Sequence, residues 1–177
     1  MLRSFLAGRT LLSKGCCVSR RVLSLEQSEG RAAMVVAELL FRQLIVPKVY
    51  LHAAWPRRTR EVDVLAIDRA GTGDIHVAEV RFGMHNASVA IEQLMHTPAH
   101  FKYLAIVGSG NYRVSEALLY SPDGFGRVGV IQISEGKDHN LHAVEMVAPE
   151  RFRLGPAYIR GADRFVSSHR PDLEIRS

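Results

Sequence analysis

EVDVLAIDRAGTGDIHVAEVRF, residues 61–82, is the stretch on which the fold turns. Two runs rich in β-branched residues, 61–68 and 75–82, flank RAGTGD (69–74), whose two glycines read as a hairpin turn. If the hairpin is symmetric about Gly71, Asp63 faces Glu79 and Glu61 faces Arg81. Side chains alternate along a strand, so Glu61, Asp63, Glu79 and Arg81 project from one face. Opposed side chains have Cβ atoms about 5 Å apart, and like charges there destabilise the pair. An Asp–Glu pair among apolar neighbours therefore needs a reason, and a divalent cation is the economical one. Mg²⁺ takes hard oxygen ligands, usually one or two carboxylates with waters and substrate phosphate. Such a site polarises a phosphodiester and lowers the pKa of a bound water. The same residues also fit an exposed hairpin face, with Glu61–Arg81 a surface ion pair worth about 0–1 kcal/mol. A one-residue shift of register would change every facing pair.

Working outward, helical spacing runs from Ser28, where Ala33, Val36, Ala37, Leu40, Phe41 and Leu44 make one apolar stripe that Pro47 stops. KVYLHAAW (48–55) reads as a strand preceding the hairpin. After the hairpin, a second helix is expected from Ala87, with Ile91, Leu94 and Met95 facing inward and Pro98 ending it. YLAIVG (103–108) is wholly apolar, as in a strand buried on both faces. SEALLY (115–120) suggests a helical turn, GVIQIS (129–134) and LHAVEMV (141–147) peripheral strands, and the remainder a polar tail.

This order, helix, three strands, helix, strand, with VDVLAID followed after a turn by VAEVR, resembles the PD-(D/E)XK nuclease superfamily. Asp63 matches the motif's first acid, and Glu79-Val80-Arg81 occupies its E-X-K position. Glu61-Val62-Asp63 resembles the E-X-D spelling of small nuclease and Holliday-junction-resolvase-like members. The resemblance covers about residues 28–134. It implies an α/β fold with a restriction-endonuclease-like αβββαβ core, a mixed central sheet flanked by helices and extra C-terminal strands. It implies a Mg²⁺- or Mn²⁺-dependent endonuclease, a hydrolase of phosphodiester bonds acting on DNA more than RNA, often as a homodimer. Asp63 and Glu79 would be metal ligands with the Val80 carbonyl a third, and Glu61 and Arg81 would join the catalytic group. Glu38 matches an accessory acid on the first helix, although an i,i+4 ion pair with Arg42 accounts for it equally. Gln93 matches a glutamine near the active site in some members, or is a solvated helical residue.

The sequence departs from the motif at two places. Valine stands where the motif has proline before Asp63, and Arg81 stands where it has lysine. A lysine can lose its proton and assist the attacking water, whereas arginine stays charged. Arginine can still hold a phosphate bidentately and stabilise transition-state charge. The alternative function is therefore a catalytically inactive nuclease-like module that binds nucleic acid or a protein partner in a larger assembly.

The remaining polar signals are weaker. His96 and His100 have the i,i+4 spacing of a helical zinc pair, but Pro98 intervenes and no cysteine lies near. The glycines of Ser109-Gly110-Asn111 and Asp123-Gly124-Phe125-Gly126 are not followed by the Gly-Lys-Ser/Thr of a phosphate loop. Trp55 with Arg57, Arg58 and Arg60 could form a nucleic-acid edge, or a core tryptophan beside a solvated basic loop.

Composition bounds these expectations. The chain has 177 residues, 47% of them hydrophobic, enough for one domain over 26–177 behind an N-terminal extension over 1–25. No apolar run approaches the roughly 20 residues of a membrane span. Cys16 and Cys17 are adjacent, which suits neither a disulfide framework nor zinc and fits a reducing compartment such as the cytoplasm. The net charge is +5, and it lies in the first 24 residues, where Arg3, Arg9, Lys14, Arg20 and Arg21 meet no acid. Beyond them, eighteen of the 23 basic residues balance all 18 acidic ones. Leu2, Phe5, Leu6 and Leu12 share a helical face, and Arg21-Val22-Leu23-Ser24 resembles a matrix-protease context, so a mitochondrial presequence is one explanation of the arm. A basic extension without targeting function is the other. Deleting residues 1–24 is expected to leave the melting temperature nearly unchanged, because the arm adds nothing to the helical or strand stripes. A large loss of stability would show that it packs on the body.

Overall fold

The computed structural model describes residues 25–44, 47–55, 61–68, 73–109, 114–124 and 126–174. The basic arm, Arg57, Arg58, Arg60 and the hairpin tip at 69–72 lie outside the described residues. The elements are α1 (Leu25–Gln43), β1 (Pro47–Ala53), β2 (Val62–Asp68), β3 (Ile75–Phe82), α2 (Ala87–His96), β4 (Phe101–Val107), α3 (Glu116–Leu119), β5 (Gly129–Glu135), β6 (Leu141–Val147), α4 (Pro156–Ser168) and β7 (Leu173–Glu174). They form a mixed α/β architecture whose sheet runs β6-β5-β4-β3-β2-β1-β7.

The hairpin has the register of a turn centred on position 71. Val64 pairs with Ala78, Leu65 with Val77, Ala66 with His76 and Ile67 with Ile75. β1 lies antiparallel to β2, and β3, β4 and β5 run parallel. Parallel neighbours need a crossover, and α2 and α3 lie in those connections.

Each face of the sheet has its own core. On one face Ala32, Ala33, Val36, Ala37 and Leu40 of α1 pack against Val64, Ala66, Ala78, Val80, Tyr103, Ala105, Ile131 and Ile133. The alanines put no bulk between helix and sheet, so the backbones can approach closely. On the other face Ala87, Ala90, Ile91 and Leu94 of α2 join Leu65, Ile67, Ile75, Val77, Leu104 and Ile106. β2, β3 and β4 are therefore covered on both faces, and most of their buried residues are apolar.

Two sequence expectations need correction. β5 is interior, lying between β4 and β6, and of the two strands expected to be peripheral β6 alone lies at an edge. The tail is not merely polar, because α4 and β7 occupy it. Ala162, Phe165 and Val166 of α4 cover the β1 side of the second core, with Phe165 edge-on to Tyr50 at 5.0 Å and to Trp55 at 5.9 Å. Trp55 follows the core reading of the two that the sequence offered, being only 2% exposed with its Nε1–H donating to the Pro98 carbonyl at 2.7 Å.

His76 shows what the double-sided burial does to a titratable group. It lies on the α1 side, away from Glu79, stacked on Phe101 at 4.7 Å and with Nδ1 3.5 Å from the Tyr103 hydroxyl. Burial lowers its pKa from 6.5 to about 4, with Asp74 and Asp68 opposing the shift and His100 adding to it. The unfolded chain therefore takes up this proton first, and stability is lost as pH falls from about 6.5 to about 4. The full loss is roughly 3 kcal/mol. Urea denaturation at pH 7.5 and 4.5 should show a smaller pH effect for His76→Phe than for the wild type. Equal pH effects in the two proteins would contradict the assignment.

Candidate functional site

The site lies where the β2–β3 ladder ends. Backbone pairing stops at Val64–Ala78, and the Asp63 side chain takes over: its Oδ2 accepts the Val80 N–H at 2.7 Å. A carboxylate thus fills a place that a strand carbonyl would have filled. The neighbouring strand explains the break in pattern. His52 of β1 has φ 48, in the left-handed region that a non-glycine residue seldom visits. Leu51 packs on the α1 side whereas Ala53 packs on the α2 side, and Val64 and Val62 divide in the same way. Simple alternation therefore fails at the step that holds His52 and Asp63.

Glu79 projects to the α2 side with its side chain only 6% exposed. A carboxylate that far from water needs charge and hydrogen bonds beside it. Arg81, two residues on along β3, supplies both. Its Nη2 donates to Glu79 Oε2 at 3.0 Å and to Gln93 Oε1 of α2 at 3.1 Å. Its Nη1 donates to the Val80 carbonyl at 2.6 Å and lies 3.5 Å from Asp63 Oδ2. Asp63 and Glu79 are close enough to share one cation, and the cation they share is the Arg81 guanidinium.

Among the residues singled out from sequence, the structure brings Asp63, Glu79, Arg81 and Gln93 together. It leaves two others apart. Glu61 does not face Arg81; it is exposed and lies 3.3 Å from His52 Nδ1, drawn aside by the irregular strand step. Glu38 is exposed on α1 and lies 3.6 Å from Arg42, the i,i+4 partner, while the buried stripe of α1 faces the sheet side opposite to Glu79. The His96–His100 spacing makes no metal pair either. His96 is exposed, and the buried His100 accepts the Ile75 N–H on Nδ1 at 3.1 Å. Burial, reinforced by Arg151 and opposed by Asp74, holds the His100 pKa below its ordinary value. His52 was not foreseen, because nothing in KVYLHAAW signals a left-handed residue.

The chemistry of the donor set can be tested against a divalent ion. Two carboxylates and a backbone carbonyl are the hard oxygens that Mg²⁺ takes at about 2.1 Å. A guanidinium already stands among them, and a second cation beside it would be repelled. No group of three or more His, Cys, Asp or Glu among the described residues is arranged to hold a metal. As arranged, these residues do not fit a divalent ion.

No family model matches the chain, and neither does any curated protein sequence. Among solved structures, it is similar to SPO1766, a protein of unknown function from Silicibacter pomeroyi, with a TM-score of 0.54 and 18% identity over 83% of this chain and 88% of that one. At that identity the likeness concerns the fold alone.

Proposed function

We propose that this chain is a restriction-endonuclease-like module that does not hydrolyse phosphodiesters and serves as a binding unit in a protein assembly. The order α1-β1-β2-β3-α2-β4 and the placing of Asp63, Glu79 and Arg81 at motif positions support the nuclease-like ancestry. The observation that carries the inactive state is the engagement of Arg81. Each terminal nitrogen faces two protein oxygens, Val80 and Asp63 for Nη1, Glu79 and Gln93 for Nη2. A guanidinium so held cannot act as a base, and its fork is not offered to a phosphate. The sequence beyond residue 24 has no net charge, which favours a protein partner over a polyanion. Exposed Phe82, Met84 and Val89, in the segment running from Arg81 into α2, supply apolar contact.

Incubation of the wild type with Mg²⁺ or Mn²⁺ and single-stranded, duplex or branched DNA or RNA should give background cleavage, equal to that of Asp63→Asn. Metal-dependent cleavage by the wild type that Asp63→Asn abolishes would overturn the proposal in favour of a metal-dependent nuclease. Tight salt-sensitive retention of nucleic acid without cleavage would redirect the partner from protein to nucleic acid.

The same variant tests the electrostatics. Two facing carboxylates alone would repel, and Asp63→Asn would then stabilise the fold. With Arg81 beside them, the substitution removes an attraction and weakens a charge-assisted bond to Val80. It should therefore lower stability by about 1 kcal/mol, or roughly 2–4 °C in melting temperature, measured in EDTA. A rise in melting temperature would show that repulsion dominates.

A further inference from the structure

The disagreement between an oxygen-rich site and a cation already present within it can be taken one step further, and the step rests on the proposed inactive module. We propose that Arg81 is the resident cation of this site, holding the oxygens of Asp63, Glu79 and Val80 in place of a divalent ion, so that removing the guanidinium uncovers a divalent-cation site.

Three features support the substitution. The guanidinium touches the three oxygen donors that a metal would use, at 2.6 Å for Val80, 3.0 Å for Glu79 and 3.5 Å for Asp63. The first two are hydrogen-bond distances and the third is an ion-pair distance, so the guanidinium satisfies the oxygens from within the protein. Second, the charge is partly balanced: one positive charge sits between two carboxylates, one of them buried. A covalently attached cation is always present, whereas a dissolved ion must displace it and break the Gln93 contact at 3.1 Å as well. Third, the contacts need a planar fork. Two nitrogens reach oxygens on β2, β3 and α2 at once, which the single ammonium of lysine cannot reproduce. Arginine is thus the one side chain that can be both counter-charge and tie.

Arg81→Ala would leave Asp63 and Glu79 with neither. Both the loss and its rescue can be read from thermal unfolding in EDTA and in millimolar Mn²⁺, with calorimetric titration of Mn²⁺ on the same samples. The wild type should melt at the same temperature in both media and give no binding heat. Arg81→Ala should melt several degrees lower in EDTA, recover much of that in Mn²⁺, and bind Mn²⁺ near one per chain. Adding Asp63→Asn should abolish the recovery. A folded Arg81→Ala indifferent to Mn²⁺ would overturn the inference and leave the inactive module standing. Saturable Mn²⁺ binding by the wild type, lost in Asp63→Asn but without cleavage, would also overturn it, whereas cleavage by the wild type would overturn the module itself. Should Arg81→Ala fail to fold in either medium, Arg81→Gln keeps an amide at the position and loses the charge. Mn²⁺-dependent stabilisation of that variant supports the inference, and indifference to Mn²⁺ overturns it.

Discussion

Glu79 is a buried carboxylate on a strand covered on both faces, and the guanidinium two residues along makes that burial tolerable. The desolvation of an unpaired carboxylate costs several kcal/mol, a large part of the stability of a domain this size. Arg81 offsets that cost through a direct contact at 3.0 Å and spends its other donors on β2, on the Val80 carbonyl and on α2. The end of the hairpin and the helix that follows it are thus tied through one side chain. The wider sheet depends on that tie indirectly, since α2 leads from β3 to its parallel neighbour β4.

The two-sided core sets the terms for every polar group placed within it. His76 and Glu79 lie on the same strand, three residues apart and on opposite faces, and both are buried. The solutions differ. His76 stays neutral between aromatic rings, with its pKa lowered to about 4, whereas Glu79 is paired with a cation. An imidazole can shed its charge near neutrality, and the carboxylate instead has a cation beside it.

Much of this was legible in the sequence, for identifiable reasons. Alternation and a glycine-bearing turn placed β2 against β3 in the observed register, because a slip of one residue would have turned Val64, Ala66 and Ala78 out of the α1-side core. The stripe of α1 and the apolar run of β4 were equally plain. β5 reads as a peripheral strand in sequence because its alternating Gln132 and Ser134 resemble a half-exposed edge. α4 carries a helical stripe of Ile159, Ala162, Phe165 and Val166 behind Pro156, but what that stripe covers depends on Tyr50 and Trp55, more than a hundred positions earlier. At the site, the motif spelling located Asp63, Glu79 and Arg81 but carried no information on rotamers. It therefore left open whether Arg81 reached towards a substrate or back into the protein. The left-handed His52, which diverts Glu61, follows from tertiary context alone.

The chain's single tryptophan has a consequence for observing this protein in solution. Trp55 donates its indole N–H to Pro98, just beyond α2, while the ring of Phe165 from α4 stands edge-on to it. The indole is therefore an optical probe at the junction of β1, the end of α2 and α4. Burial of the indole favours short-wavelength emission, and exposure to water on lifting either helix would shift it to the red. Ultraviolet fluorescence of the unlabelled protein thus reports on docking of the C-terminal helix, which lies far from the hairpin in sequence.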